Sequence, residues 1–221
     1  QNYRKAEIEN LRWQALSTEV ELNKLKSQLN PHFIFNSMNS IRALVDEDPS
    51  KSKESITQLS NILRSSLLMG RQKVISLREE LQLVHDYLNL EQTRFEERLS
   101  TDFSIPTETL EYQVPPMLLQ TLVENGIKHG ISKLPEGGHI AVKAFIKDKK
   151  LNLKIENSGE YIPPNGKKEI GFGLLNSKQR LQLLYGEEAV LKISNSEQKT
   201  VISEVVIPNT ILSNKVESQN T

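Results

Sequence analysis

Cysteine is absent from the 221-residue chain, and aromatic residues make up only 5% of it, with a single tryptophan. The missing thiols exclude disulfides, Cys-ligated zinc and thiol nucleophiles. No apolar run approaches the length of about 18 residues that a membrane-spanning helix needs. Charge of one sign is lacking too: 28 basic side chains offset 28 acidic ones, so no overall field points to nucleic acid as a partner. What is present is 37% hydrophobic and 25% charged, the composition of a globular protein of one or two domains. The sequence begins at Gln1 with helical character, so it is expected to be a piece of a longer protein.

The first 70 residues read as helix. Ile8, Leu11, Ala15, Leu22, Leu25 and Leu29 repeat with 3-4 spacing, broken at Thr18, as in a coiled coil or bundle. "DEDPSKS" (46–52) reads as a turn, where Pro49 stops one helix and Ser50 or Ser52 caps the next. Ile56, Leu59, Leu63 and Leu67 then form one stripe, and Gly70 ends the second helix. Two helices joined this way make an antiparallel hairpin that cannot bury both stripes alone, so a homodimeric four-helix bundle is the expected completion.

Pro31 interrupts the first of these helices, where proline costs about 3 kcal/mol or more. Beyond it the expected apolar stripe is Ile34, Met38, Ile41 and Val45, which leaves His32, Asn36 and Asn39 on a separate polar face. A bend or change of phase at Pro31 would therefore turn His32 out of the core.

The pattern changes after Gly70. Ser76 and Glu79 form a capping box ahead of an amphipathic helix. "STDFSIP" reads as a strand, and "PPMLLQTLVENGIKHGI" as a helix with proline in its first turn. "HIAVKAFIKDKKLNLKIEN" and "AVLKISNSEQKTVISEVVIP" alternate like two hairpins, and "GFGLLNSKQRLQLLYG" reads as a glycine-led helix closed by Gly186. Together these predict an α/β layer with helices on one face.

Three motifs in this layer carry polar groups of interest. In "VENGIKHG", Glu124 and Lys128 share one face and Asn125 and His129 another, with Leu118, Leu119, Leu122 and Val123 as the buried side. The Asn125 oxygen suits magnesium, which prefers oxygen ligands and works beside substrate phosphates. Glu124 is either an ion-pair partner for Lys128 or a proton acceptor. "IENSGE" places Asn157 and Gly159 after a strand, and an asparagine amide can pair with an adenine edge. In "GFGLL", Gly171 and Gly173 precede a helix whose N-terminus can take an anion.

The order of these pieces, with "LKSQLNPHFIFNSMNSI" and "YLNLEQTRF" upstream, resembles the LytS-type sensor histidine kinases, whose ATP-binding part has the GHKL or Bergerat fold. The resemblance covers most of residues 22 to 186. It implies an α+β protein: a dimerising, phosphoacceptor hairpin with a coiled-coil lead-in over 1–70, an α/β-sandwich ATP-binding domain over 73–210, and a flexible tail over 211–221. It implies that His32 accepts the γ-phosphoryl group of ATP and passes it to the receiver domain of a response regulator. Asn125 would hold Mg2+, Lys128 and His129 would lie near the phosphates, and Asn157 and Gly159 would meet the adenine. Gly171, Gly173 and Leu174 would border a lid formed by "EYIPPNGKKEI". Asn36, four residues after His32, is a candidate for positioning or dephosphorylation, and Glu124 for taking the imidazole proton. Arg180 is expected to anchor its helix. The parent would be an inner-membrane protein with an upstream sensor, and this portion would be cytoplasmic.

The sequence departs from that family pattern in places. Asn157 stands where an aspartate is usual and Tyr161 where a second glycine is, which predicts weakened nucleotide binding. Phe33, not an acidic residue, follows His32. The alternatives are a dimeric scaffold with a degenerate nucleotide site and a GHKL ATPase without histidine transfer.

Overall fold

The computed structural model describes residues 31–69, 72–161 and 172–209. Its elements are two leading helices followed by a mixed α/β layer, an α+β arrangement. The coiled-coil seam of Ile8 to Leu29, any bend ahead of Pro31, the lid and the tail lie outside the described residues.

Helix α1 (Pro31–Glu47) and helix α2 (Pro49–Met69) are separated by Asp48 alone. Pro49 takes the first helical position of α2, where its missing N–H is an orphan in any case. The cap of α2 is Asp48, not Ser50 or Ser52: its Oδ1 accepts the Lys51 N–H at 3.0 Å. Ser52 is buried instead, and its hydroxyl donates to the Ile41 carbonyl at 3.4 Å, joining the two helices.

The buried stripes differ from those expected. On α1 they are Phe33, Ser37 and Ile41, while Met38 and Val45 are 57% and 51% exposed. On α2 they are Ser52, Ser55, Leu59, Ile62 and Ser66, while Ile56 is 51% exposed. The cause is the serines. A small side chain lets two helix backbones approach, and its hydroxyl is satisfied locally, as where Ser66 donates to the Ile62 carbonyl at 2.8 Å. The larger apolar residues one position away then face outward.

Helix α3 (Leu77–Phe95) starts with the predicted capping box: the Glu79 N–H donates to Ser76 Oγ at 3.3 Å and the Ser76 N–H to Glu79 Oε2 at 2.9 Å. It is buried on more than one side, because it packs against α1 and α2 as well as the layer that follows. Strand β1 (Ile75–Ser76) pairs with β3 (Gln113–Val114) beside its N-terminus.

The main sheet has strands β2 (Leu99–Ser104), β4 (Gly138–Lys147), β5 (Lys150–Ser158), β6 (Val190–Asn195) and β7 (Thr200–Pro208) in the order β2-β4-β5-β7-β6. Only the β2–β4 pair is parallel. The β4–β5 turn places Asp148 and Lys149 at φ 52° and 60°, the two left-handed positions of a type I′ hairpin. Alternation along β5 buries Leu151, Leu153, Ile155 and Asn157. Helices α3, α4 (Leu118–Asn125) and α5 (Phe172–Tyr185) complete the core over that face.

Replacing Ser76 with alanine removes the cap that starts α3. Ser76→Ala is expected to lower stability by about 1 kcal/mol in urea unfolding, and Ser76→Asp to recover most of it.

Candidate functional site

Helix α4 has only 8 residues, and its N-terminus is held from outside. Met117 precedes it in a left-handed conformation, φ 64°, and offers no side-chain cap. Glu80 of α3 supplies one instead, accepting the Met117 N–H at 2.9 Å and the Gln120 N–H at 3.1 Å. Glu80 is fully buried, and burial pushes its pKa up to about 7, against the pull of those N–H groups and of the Arg180 guanidinium. Arg180 on α5 donates to the Pro116 carbonyl at 3.1 Å and the Gln72 carbonyl at 2.9 Å. It therefore ties α5 to the segment that leads into α4.

The chain leaves α4 through a π-helical turn, Gly126–Gly130, and a short 3-10 turn, Ile131–Lys133. The wider turn changes the helical phase. Glu124 and Lys128 form no ion pair; Glu124 instead accepts the Gln120 amide at 2.9 Å. Asn125 donates through Nδ2 to the Thr121 carbonyl at 2.7 Å, which commits its nitrogen and leaves Oδ1 for another partner.

The π turn lies against the end of β5. A Cβ on Gly126 would stand 2.9 Å from Asn157 Oδ1, and one on Gly130 only 2.5 Å from both Asn157 Nδ2 and the Ser158 carbonyl. Gly159, at φ +120°, would meet the Gly130 Cα at 2.7 Å. These glycines let the two backbones touch and bury Asn157 to 3% exposure. The sequence signal was the Gly126–Gly130 pair at i,i+4, each costing about 1 kcal/mol against alanine in a helix. By contrast, a Cβ on Gly173 would make only an ordinary contact with Thr121 at 3.4 Å.

Between the π turn, β5 and α5 lies a cleft of about 710 Å3, including its part open to solvent. Leu122, Leu174, Ile193 and Val201 give it apolar walls, and Asn125, His129, Lys133 and Asn157 give it polar ones. Lys133 was not singled out in the sequence; the phase change of the π turn brings it in. Lys128, Gly159 and Gly173 are not among the lining residues, and Gly171 lies outside the described residues. Burial, with Lys128 and Lys133 nearby, lowers the pKa of His129 and favours its neutral imidazole. At the rim, Tyr161 and Asn195 exchange two hydrogen bonds, N–H to Oδ1 at 2.8 Å and Nδ2 to the carbonyl at 3.0 Å.

His32 stands exposed on α1, with Asn36 Nδ2 at 3.2 Å from its Nδ1 and 3.3 Å from its Nε2. Its neighbour Phe33 is buried against Tyr87 of α3, ring centroids 4.8 Å apart. Glu124 lies near Tyr87 and Glu91, and burial raises its pKa. Arg94 pairs with Glu91 at 3.2 Å and stacks over Phe95.

Two outcomes follow from this geometry. Gly130→Ala is expected to destabilise the fold markedly in thermal unfolding, whereas Gly173→Ala leaves it within about 0.5 kcal/mol. The raised pKa of Glu80 means that the folded state holds its proton more tightly than the unfolded chain, where the carboxyl has its ordinary 4.5. Its contribution is full below that value and is lost as pH rises towards 7, of order 3 kcal/mol in all. Glu80→Gln is expected to flatten this slope in urea titrations run from pH 4.5 to 7.5.

A family model described as histidine kinase matches residues 20–99. The sensor protein LytS of Staphylococcus saprophyticus is 36% identical over 217 residues, 93% of this chain and 37% of the relative. LytS of Bacillus subtilis is 35% identical over 195 residues, 83% of this chain and 33% of the relative. The sensor histidine kinase BtsS of Escherichia coli K12 is 34% identical over 184 residues, 83% of this chain and 32% of the relative. This chain thus spans about a third of the length of the curated relatives it matches. The solved catalytic domain of histidine kinase ThkA is similar at 20% identity and a TM-score of 0.48, covering 62% of this chain and 97% of that domain. On its sequence relatives, the chain is a homologue of the LytS-type sensor histidine kinases over most of its own length.

Proposed function

We propose that this chain is the kinase core of a two-component sensor, transferring the γ-phosphoryl group of ATP to His32 and then to an aspartate on a response-regulator receiver domain. The observation that carries the reading is the convergence of Asn125, His129, Lys133 and Asn157 on one cleft, in a homologue of sensor histidine kinases whose exposed His32 adjoins a residue packed on the same layer. Residues 1–70 would be the dimerising phosphoacceptor domain, 73–210 the ATP-binding domain and 211–221 a tail. Exposed Phe35, Met38, Val45 and Ile56 on the hairpin supply apolar surface for a second copy. The use of ATP sets the reaction on the cytoplasmic side, beneath a membrane-bound sensor in the parent protein.

Magnesium fits the residues present. Asn125 has a free oxygen, and among the described residues no group of three or more His, Cys, Asp or Glu forms a protein cage, so the ion would arrive with the phosphates. When bound, Mg2+ would neutralise phosphate charge that develops during transfer.

The chain's own residues would do the rest. Asn157 accepts from the adenine amino group. His129 and Lys133 meet the phosphates, with Lys128 nearby, and Gly159, Gly171, Gly173 and Leu174 border the adenine and lid. An imidazole nitrogen of His32 attacks the γ-phosphorus; the P–N bond forms as the bond to the β–γ bridging oxygen breaks, and ADP leaves. The imidazole proton goes to Glu124, whose raised pKa brings it closer to that of an imidazole. Asn36 orients the His32 ring and is the candidate to place water for dephosphorylating the regulator.

Incubation with γ-labelled ATP is expected to give acid-labile label on the parent and none on His32→Gln. Label that survives in His32→Gln, or none in the parent, overturns the reading; phosphate release without label marks an ATPase instead. Glu124→Gln is expected to slow labelling by about 10²-fold with nucleotide affinity unchanged. Asn157→Asp is expected to tighten ATP binding by about 1 kcal/mol, roughly fivefold, in calorimetric titration, because it restores a charge-assisted hydrogen bond.

A further inference from the structure

The cleft accounts for Asn125, His129 and Asn157, but a second buried polar cluster does not line it. Tyr87 and Glu91 on α3 are each 3% exposed. Glu91 is close enough to act on the Tyr87 hydroxyl electrostatically, and its carboxylate accepts from Arg94 at 3.2 Å. Glu124, next to Asn125 on α4, is close enough to act on Tyr87 electrostatically. A buried hydroxyl is costly unless it is bonded, so a phenylalanine would serve packing alone at lower cost.

The other side of the Tyr87 ring meets the hairpin. Phe33 packs on it at 4.8 Å with the rings tilted by 36°, and is itself only 6% exposed. One residue earlier, Asp86 accepts from Asn61 Nδ2 of α2 at 3.2 Å. Consecutive residues of α3 therefore grip both hairpin helices, Asp86 holding α2 and Tyr87 holding α1. Neighbours on a helix point about 100° apart. With Phe33 inserted against Tyr87, His32 is turned to the flank of the contact and stays exposed.

We propose that Tyr87 is a positioning residue for phosphoryl transfer: its ring seats Phe33, and its hydroxyl, beside Glu91 and Glu124, sets where that seat stands relative to the nucleotide cleft, so that His32 is held in register for attack. This rests on the histidine kinase reading. Attack in line with the leaving group depends steeply on placement, and a misplacement of about 1 Å costs of order 10²-fold in rate. The seat lies outside the cleft and bears on transfer, not on nucleotide affinity.

The test uses the full chain with γ-labelled ATP, a fluorescent ATP analogue for affinity, and amide hydrogen exchange over α1. Phe33→Ala is expected to lower the rate of His32 labelling by roughly ten- to a hundredfold, with affinity within about twofold of the parent and faster exchange over residues 33–41. Phe33→Leu, which keeps an apolar plug, recovers part of the rate. Tyr87→Phe keeps the ring and removes the hydroxyl, and is expected to slow labelling by several-fold at constant affinity. Unchanged labelling in Phe33→Ala and Tyr87→Phe overturns the proposal, and so does a loss of rate matched by a loss of affinity. A parent that is not labelled at His32 overturns the kinase reading instead. Exchange then reads the seat alone: α1 protection unaltered in both variants removes the seat as well.

Discussion

The end of β5 meets the π turn after α4 backbone to backbone, and the cleft exists because of that contact. Gly130 and Gly159 leave no side chain between the two segments, and the space that Cβ atoms would take at Gly126 and Gly130 is filled by the Asn157 amide. A close-packed interior does not absorb even one methyl at such distances without moving a segment. The contact sets how far Asn125, on the last turn of α4, stands from the strand that closes the cleft. At the opposite end of α4, Glu80 reaches from α3 to its first N–H groups, and Arg180 reaches from α5 to the carbonyl of Pro116. An isolated helix of 8 residues is far too short to be stable in water. Its position is therefore decided by its neighbours, and a shift of α5 would be felt at Asn125 through Arg180 and Pro116.

The hairpin uses the same economy of small residues. Three of the five buried-stripe positions on α2 are serines, Ser52, Ser55 and Ser66, and they flank Leu59 and Ile62, so helix contact is close without a wide apolar seam. The apolar area displaced from that contact is not lost. It lies on the outer side of α1 and α2 at Phe35, Met38, Val45 and Ile56. One hairpin thus carries two kinds of surface: an inward face that mixes serines with Phe33, Ile41, Leu59 and Ile62, and an apolar patch turned away from it.

Much of this was legible in the sequence. Period-two alternation gave both long hairpins, since burying one sheet face fixes which residues alternate. The Ser76–Glu79 box marked the start of α3 because the orphan N–H groups there need those side chains. The misreadings share a cause: a sequence pattern weighs size and polarity, not approach distance. Serine was counted as polar, so Ile41 and Leu59 were placed correctly while Met38 and Ile56 were expected where Ser37 and Ser55 are buried. The π turn has no sequence signature, so Glu124 and Lys128 were set on one face and Lys133 was not considered. The Gly-rich start of α5 stands out in the sequence, yet it is Gly126, Gly130 and Gly159 that the close approach of the π turn to the end of β5 requires.

Asn157 shows why a departure from a family pattern can be physically consistent. Its Nδ2 donates to the Ser158 carbonyl at 3.0 Å, so the neutral amide is satisfied without a ligand. A carboxylate in its place would have no proton to give that carbonyl and would set two acceptors against each other. It would also bring a charge to a position of 3% exposure, where no cation is bonded to it. The empty cleft is therefore more stable with asparagine, and the filled cleft gains more from aspartate, whose bond to an adenine amino group is charge-assisted. The difference between the two is a coupling between folding and ligand: an aspartate defers part of its stabilisation until nucleotide arrives, while the Asn157 amide is satisfied within β5 whether or not the cleft is occupied.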